Sequence, residues 1–209
     1  MSQPEHRRAA FTLIELLTVI AIIAILAGIL IPTVSGVRVS AKKAETKVRF
    51  SQWASAMEQF KQEYGYYPAI DSGGTANKIN PARFAGALTG RRLDGTAFAS
   101  TTDLDLAGNK RMIAFYSLTE RELNADRTAL VDAFGNTDFA VYYDKDGDGH
   151  ITTADTGGAG PVAVAGDAQA LSPVSTDVDL TTTQGVRATV VFYSAGKGDS
   201  ASDIIYSWK

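Results

Sequence analysis

The hydrophobic pattern begins with an almost unbroken apolar run, Phe11 to Ile31, reading FTLIELLTVIAIIAILAGILI. About 20 such residues in a helix cross the ~30 Å hydrocarbon core of a bilayer, so this stretch predicts a membrane span. Beyond Ser35 and Gly36 the pattern changes. Val37, Ala41, Ala44, Val48, Phe50, Trp53, Met57, Phe60 and Tyr64 recur mostly at intervals of three or four, which predicts a continuing helix with one apolar side. Gly65 supplies a left-handed cap, and Pro68 in GYYP stops the helix from resuming. The aromatic stripe is read as packing against the domain's own sheet rather than holding a cofactor.

After Pro68, AIDSGGTANKIN reads as a loop and PARFAGALTG as a short helix closed by Gly90. Three segments have the β-branched and aromatic content of strands: RMIAFYSL (Arg111 to Leu118), DFAVYYD (Asp138 to Asp144) and VRATVVFYS (Val186 to Ser194). Asp203 to Trp208 is expected as the last strand of a small antiparallel sheet, and GGAGPVAVAGDAQALSP as a surface loop. The fold class expected is α+β, a long N-terminal helix on a small sheet.

Glu15 is the informative residue of the apolar run. A lone carboxylate at membrane depth costs about 2 to 3 kcal/mol, so it calls for a partner, unless it lies near enough to one end to reach the headgroups. A secretory signal peptide is the rival reading, with Arg7 and Arg8 as its basic start and Val39-Ser40-Ala41 as its cleavage site. Against it, the run is longer than a signal core, the supposed cut lies far beyond its end, and Glu15 sits inside it.

At these residues the chain meets a known pattern. AFTLIELLTVIAIIAILAGILIP resembles the class III signal of type IV pilins and pseudopilins, and Pro32 matches the family's helix kink. GYYP, ALTG, LVDAFGNTDF and SAGKGDSASDIIYSW resemble pieces of the major pseudopilin of type II secretion, although Ala133 and Thr137 stand where that family often has proline. The resemblance implies a pilin-like fold divided into a leader (1–10), a hydrophobic assembly helix (11–34), an amphipathic half of the helix (35–65) and a periplasmic domain (66–209). It also implies a prepilin peptidase that cuts between Ala10 and Phe11 and methylates the new amine; Ala10 replaces the usual glycine. Glu15 then becomes the fifth mature residue, and the amine of its own or a neighbouring subunit supplies the missing partner. Further implied partners are identical and related pilin-like subunits, membrane lipid and an inner-membrane secretion platform. The leader-in, domain-out orientation also rests on the resemblance, because Arg7 and Arg8 are answered by Arg38, Lys42, Lys43 and Lys47 on the other side.

One acidic stretch carries its own chemistry. DKDGDGHITTAD, Asp144 to Asp155, spaces carboxylates at positions one, three, five and twelve of a calcium loop. Asp144, Asp146 and Asp148 offer side-chain oxygens, His150 its backbone carbonyl, Thr152 a direct or water-bridged contact, and Asp155 replaces the usual glutamate. A preceding strand and a following Gly157-Gly158 are not EF-hand flanks, and a metal-free acidic hairpin turn is the alternative. In the major pseudopilin family calcium sits in the C-terminal loop. Here Ser194, Asp199 and Asp203 match that loop loosely and form a weaker second candidate.

Composition narrows the remaining classes. The 209 residues are 45% hydrophobic and 21% charged, enough for one modest core beside the apolar segment. A net charge of -3 with no long Lys/Arg run argues against nucleic acid as a partner. There is no cysteine to form a disulfide or thiolate site, so bracing must come from elsewhere, such as a bound ion. The two histidines, His6 and His150, leave little for hydrolytic catalysis, and neither GxSxG nor a phosphate-binding loop is present. No enzyme is expected. The sequence reading is therefore a filament subunit of type II secretion, with a type IV pilin or a non-polymerising anchored calcium-binding domain as alternatives.

Overall fold

A computed structural model describes residues 11–72, 77–156, 160–167, 169–173 and 185–209. The expected leader with Ala10, the Gly157-Gly158 pair and part of each predicted loop lie outside these residues. The chain divides between Ala41 and Lys42 into two compact units. Helix α1, Leu13–Tyr64, contributes to both, and position 32 lies within it.

In the first unit every large apolar side chain of α1 from Leu13 to Leu30 is exposed. By length and composition α1 can cross a membrane.

In the second unit the rest of α1 is the spine of the core. Thr46, Arg49, Phe50, Trp53, Ala56, Met57 and Phe60 are buried, a stripe that advances by three or four residues. This corrects the predicted stripe at its first four positions. Val37, Ala41 and Ala44 are exposed, and Val48 is 56% exposed because residues two apart on a helix, such as Val48 and Phe50, point to nearly opposite sides. Thr46 and Arg49 take the inward positions instead. The helix stops as predicted: Gly65 has φ 81° and its N–H donates to the Lys61 carbonyl at 2.7 Å.

Helix α2, Pro81–Thr89, starts where proline needs no N–H partner and Asn80 caps it by accepting from the Arg83 N–H at 3.1 Å. It ends at Gly90, left-handed at φ 66°. Phe84 and Leu88 point into the core beside Trp53. Gly86 permits a close crossing, since a Cβ there would lie 1.9 Å from the Asp105 carbonyl oxygen.

The predicted sheet is present. β1 (Phe139–Tyr143), β4 (Val190–Ser194) and β5 (Ile205–Tyr206) pair antiparallel in the order β1-β4-β5, with Phe139 opposite Ser194 and Tyr143 opposite Val190. Phe139, Val141, Val190, Phe192 and Ile205 face α1 and α2, while Ala140, Tyr142, Val191, Tyr193 and Tyr206 face a second cluster with Ile151, Val162 and Leu171. Burial on both faces explains why β1 and β4 read as continuous apolar runs rather than alternating ones.

Three expectations change. Arg111 to Leu118 is not a strand: Phe115 and Tyr116 both donate to the Leu88 carbonyl at 2.8 Å, and Asn109 holds the segment through the Ile113 N–H at 3.0 Å and the Ile113 carbonyl at 2.8 Å. Its β-type residues fit a half-buried extended segment, but among the described residues no strand pairs with it. The predicted surface loop after Gly157 contains a small hairpin, β2 (Val162–Ala163) with β3 (Ala170–Leu171), whose Val162 and Leu171 are buried over the sheet. Strand β5 is shorter than predicted because Asp203 closes a 3-10 turn, Ala201–Asp203.

Candidate functional site: the N-terminal helix and an acidic loop

The start of α1 is built by two side chains. The Thr12 backbone N–H donates to Glu15 Oε2 at 2.9 Å, the Thr12 hydroxyl donates to the same oxygen at 2.8 Å, and the Glu15 N–H donates to Thr12 Oγ1 at 3.3 Å. Together these satisfy the reciprocal pattern of a capping box, which meets N–H groups that the first helical turn leaves without partners. Glu15 thus has a local duty besides its charge. The Thr-x-x-Glu spacing is itself the sequence signature of such a box. Phe11, 80% exposed, precedes the capped turn.

The acidic loop leaves the end of β1. Asp144 is buried, its N–H continuing the ladder to the Thr189 carbonyl at 2.9 Å. Its carboxylate accepts from the Gly147 N–H at 2.7 Å and the Gly149 N–H at 2.9 Å, an inward curl possible because both glycines have positive φ. Asp146 accepts from the Asp148 N–H at 3.2 Å, and Asp148 from the His150 N–H at 2.7 Å. One ligand atom from each of Asp144, Asp146 and Asp148 lies within 4.8 Å of the others. Ile151, wholly buried, pins the far side by exchanging backbone bonds with Val186 at 2.8 and 2.9 Å.

Electrostatics divides the cluster. Burial pushes the Asp144 carboxyl up, but the Gly149 and Gly147 N–H groups and the Asp146 side chain outweigh it and hold Asp144 below the usual carboxylate range. The Asp148 N–H pulls Asp146 down, but desolvation, the Asp144 carboxyl and the charges of Asp148 and Asp155 push it above that range. This conflict is what a cation would relieve, and the oxygen-only donor set suits a hard one.

The other loop residues have separate roles. Asp155 accepts from the Lys145 N–H at 3.0 Å and the Thr152 N–H at 2.9 Å, while Lys145 Nζ donates to the Asp155 carbonyl at 2.7 Å. It staples the loop's two ends and lies outside the three-carboxylate group. Thr152 Oγ1 serves Asp155 and the Ala154 N–H, at the start of the single-turn helix α3 (Thr153–Thr156). The His150 ring is 3.3 Å from the Asp148 carbonyl.

The second candidate loop is not gathered. Ser194 is buried and donates to Asp132 at 2.9 Å, Asp199 pairs with Lys197, and Asp203 pairs with Lys43 at 3.1 Å. Two buried carboxylates escaped the sequence reading altogether. Glu122 accepts from Trp53, Tyr116 and Thr119, and Asp132 from Phe134, Asn136 and Ser194. Asn136 in turn donates to the Gly196 carbonyl at 2.7 Å and accepts from the Ala165 N–H at 2.8 Å, joining three loops.

Residues 6–31 match the family described as the prokaryotic N-terminal methylation motif. No curated protein and no solved structure matches the chain. The motif implies processing by a prepilin peptidase and assembly into pilin-type filaments, and together with the apolar helix it indicates a single-pass membrane anchor. The chain thus carries a prepilin-type signal, and its long helix followed by a small antiparallel sheet is consistent with the pilin-like fold of type IV pilins and pseudopilins.

Proposed function

We propose that this chain is a structural subunit of a type II secretion pseudopilus. The observation that carries the reading is the apolar surface from Leu13 to Leu30, exposed throughout and headed by a capped Glu15, within a methylation motif. Cut before Phe11, the chain packs this helix against identical subunits, and the new amine offsets the Glu15 carboxylate in lipid. Contacts that do not close into a ring yield a helical filament, which on an inner-membrane secretion platform pushes folded cargo outward. The domain lies in the periplasm and performs no catalysis.

A calcium-class cation held by Asp144, Asp146 and Asp148, with the His150 carbonyl contributing and Asp155 and Thr152 closing the loop around it, braces a domain that has no disulfide. The absence of cysteine also favours secretion over a pilus, since type IV pilins commonly carry a C-terminal cysteine pair. Deleting the gene in its host separates the two readings. Loss of exported proteins from the medium with twitching intact supports the pseudopilus, whereas loss of surface pili and twitching with normal export overturns it.

A further inference from the structure

A cavity of about 240 Å³ beside the end of α2 is lined by Arg91, Arg92, Arg127, Ser117 and Glu120, among others. Three arginines and one glutamate line it, although the Arg92 guanidinium turns outside it, over the Phe98 ring. Arg127 pairs with Glu120, and Arg92 pairs at 2.8 Å with Asp103, outside the lining. Arg91 has only the Gly95 carbonyl at 3.4 Å as a side-chain partner among the described residues. Arg91 therefore leaves one planar fork at an arginine-rimmed opening, which suits a carboxylate better than a neutral group.

The same chain displays a pair of carboxylates elsewhere. Asp146 and Asp148 are exposed on the acidic loop, and among the described residues no lysine or arginine pairs with either. Even with a divalent cation in place, the four aspartates of Asp144 to Asp155 leave the loop negative. Within one chain no hydrogen bond or ion pair among the described residues joins this loop to the cavity.

We propose that the Arg91, Arg92 and Arg127 cavity receives the Asp146 to Asp148 loop of a second copy of this chain. The two surfaces are different patches of one domain, so the contact is heterologous, and repeating it extends a filament. This rests on the filament reading above and adds to it the contact between neighbouring domains.

The chain has no native cysteine, so an engineered pair reports only the designed contact. Full-length chains carrying both Arg91→Cys and His150→Cys, the latter replacing an exposed side chain that the ion site does not use, are assembled in the host and mildly oxidised. Reducible dimers and higher multimers are expected from the double variant and not from either single one. Arg91→Glu is expected to lower filament yield about tenfold by placing like charges together, whereas Arg91→Lys retains most of it. Arg91 is exposed, so an unchanged melting curve separates this effect from misfolding. Filaments at full yield from Arg91→Glu, with only monomer from the oxidised double variant, overturn the contact and leave the filament reading standing. If the unaltered chain forms no filament in its host, the filament reading fails and this contact falls with it.

Discussion

The Trp53 indole N–H meets Glu122 Oε1 at 2.9 Å in the middle of the core, where the two residues are 0% and 1% exposed. A buried carboxylate is tolerable only when its oxygens are filled. Tyr116 donates to the same oxygen at 2.6 Å, and the Thr119 N–H and hydroxyl fill the other at 2.8 and 2.7 Å. The chain then follows α1 toward its N-terminus: the Val131 carbonyl accepts from Arg49 at 2.9 Å and the Ala133 N–H donates to Thr46 at 3.3 Å. Trp53, Arg49 and Thr46 lie three or four residues apart, so one helical face registers this whole connection.

Glu122→Ala leaves those donors buried without an acceptor. The expected loss is about 3 kcal/mol, seen as a drop in melting temperature of about 10 °C for a domain of this size. Trp53→Phe, which removes one donor and keeps an aromatic ring, should cost less. Denaturation of the detergent-solubilised chain gives the comparison, and a near-neutral Glu122→Ala would show that the carboxylate does not hold the connection.

Glu15 has two duties that substitutions can separate. Glu15→Gln keeps an acceptor for the capping box but removes the charge, whereas Glu15→Ala removes both. The filament reading requires that neither variant assemble, with only the alanine form also losing about 1 kcal/mol of stability at the helix start. Electron microscopy of sheared filaments reads the first effect and amide exchange near Leu13 the second. Wild-type assembly by Glu15→Gln would reduce Glu15 to a helix cap.

Calcium should raise the melting temperature at neutral pH, by about 2.7 kcal/mol in free energy at a hundredfold excess over Kd. Asp144→Asn should abolish the increment. The pH dependence follows from the two directions of shift. Asp146, raised, is charged at a cost to the metal-free fold at neutral pH, and that cost fades as pH falls through its raised pKa. Asp144, lowered, contributes stability that is full above the usual value of about 3.9, declines as pH falls below it and is gone once pH has passed its folded pKa. The calcium increment should therefore shrink first in the range above ~3.9, where Asp146 takes up its proton. Melting curves with calcium and with chelator across that range test it, and identical curves at neutral pH would remove the ion from the account.

Gly86→Ala tests a reversal of sign. In an ordinary helix interior this change stabilises by up to about 1 kcal/mol. Here the added methyl would sit 1.9 Å from the Asp105 backbone, so the crossing must open and a loss of about 3 kcal/mol is expected. A stabilised variant would show that the crossing is loose.

Local chemistry made several elements legible. Asn80, Pro81 and Gly90 bracket α2, Gly65 ends α1, and the content of β1 and β4 announced strands, because caps and β-type residues act over a few neighbours. The three aspartates of the acidic loop were equally plain from spacing. What escaped was decided at a distance: Val48 turned outward, and Arg111 to Leu118 found no pairing strand among the described residues. The side chains of Ser194 and Asp203 are engaged by separate distant partners, Asp132 and Lys43.

By itself the order of residues determined an apolar helix able to enter lipid, an acid near its head, a methylation motif and an oxygen-rich loop, since each depends on composition and short spacing. Tertiary structure alone decided that Glu122 and Asp132 are buried, that both faces of the sheet are covered, and that Arg91, Arg92 and Arg127 line one cavity. Those outcomes require segments tens of residues apart to meet, and only packing selects which distant donor fills which buried acceptor.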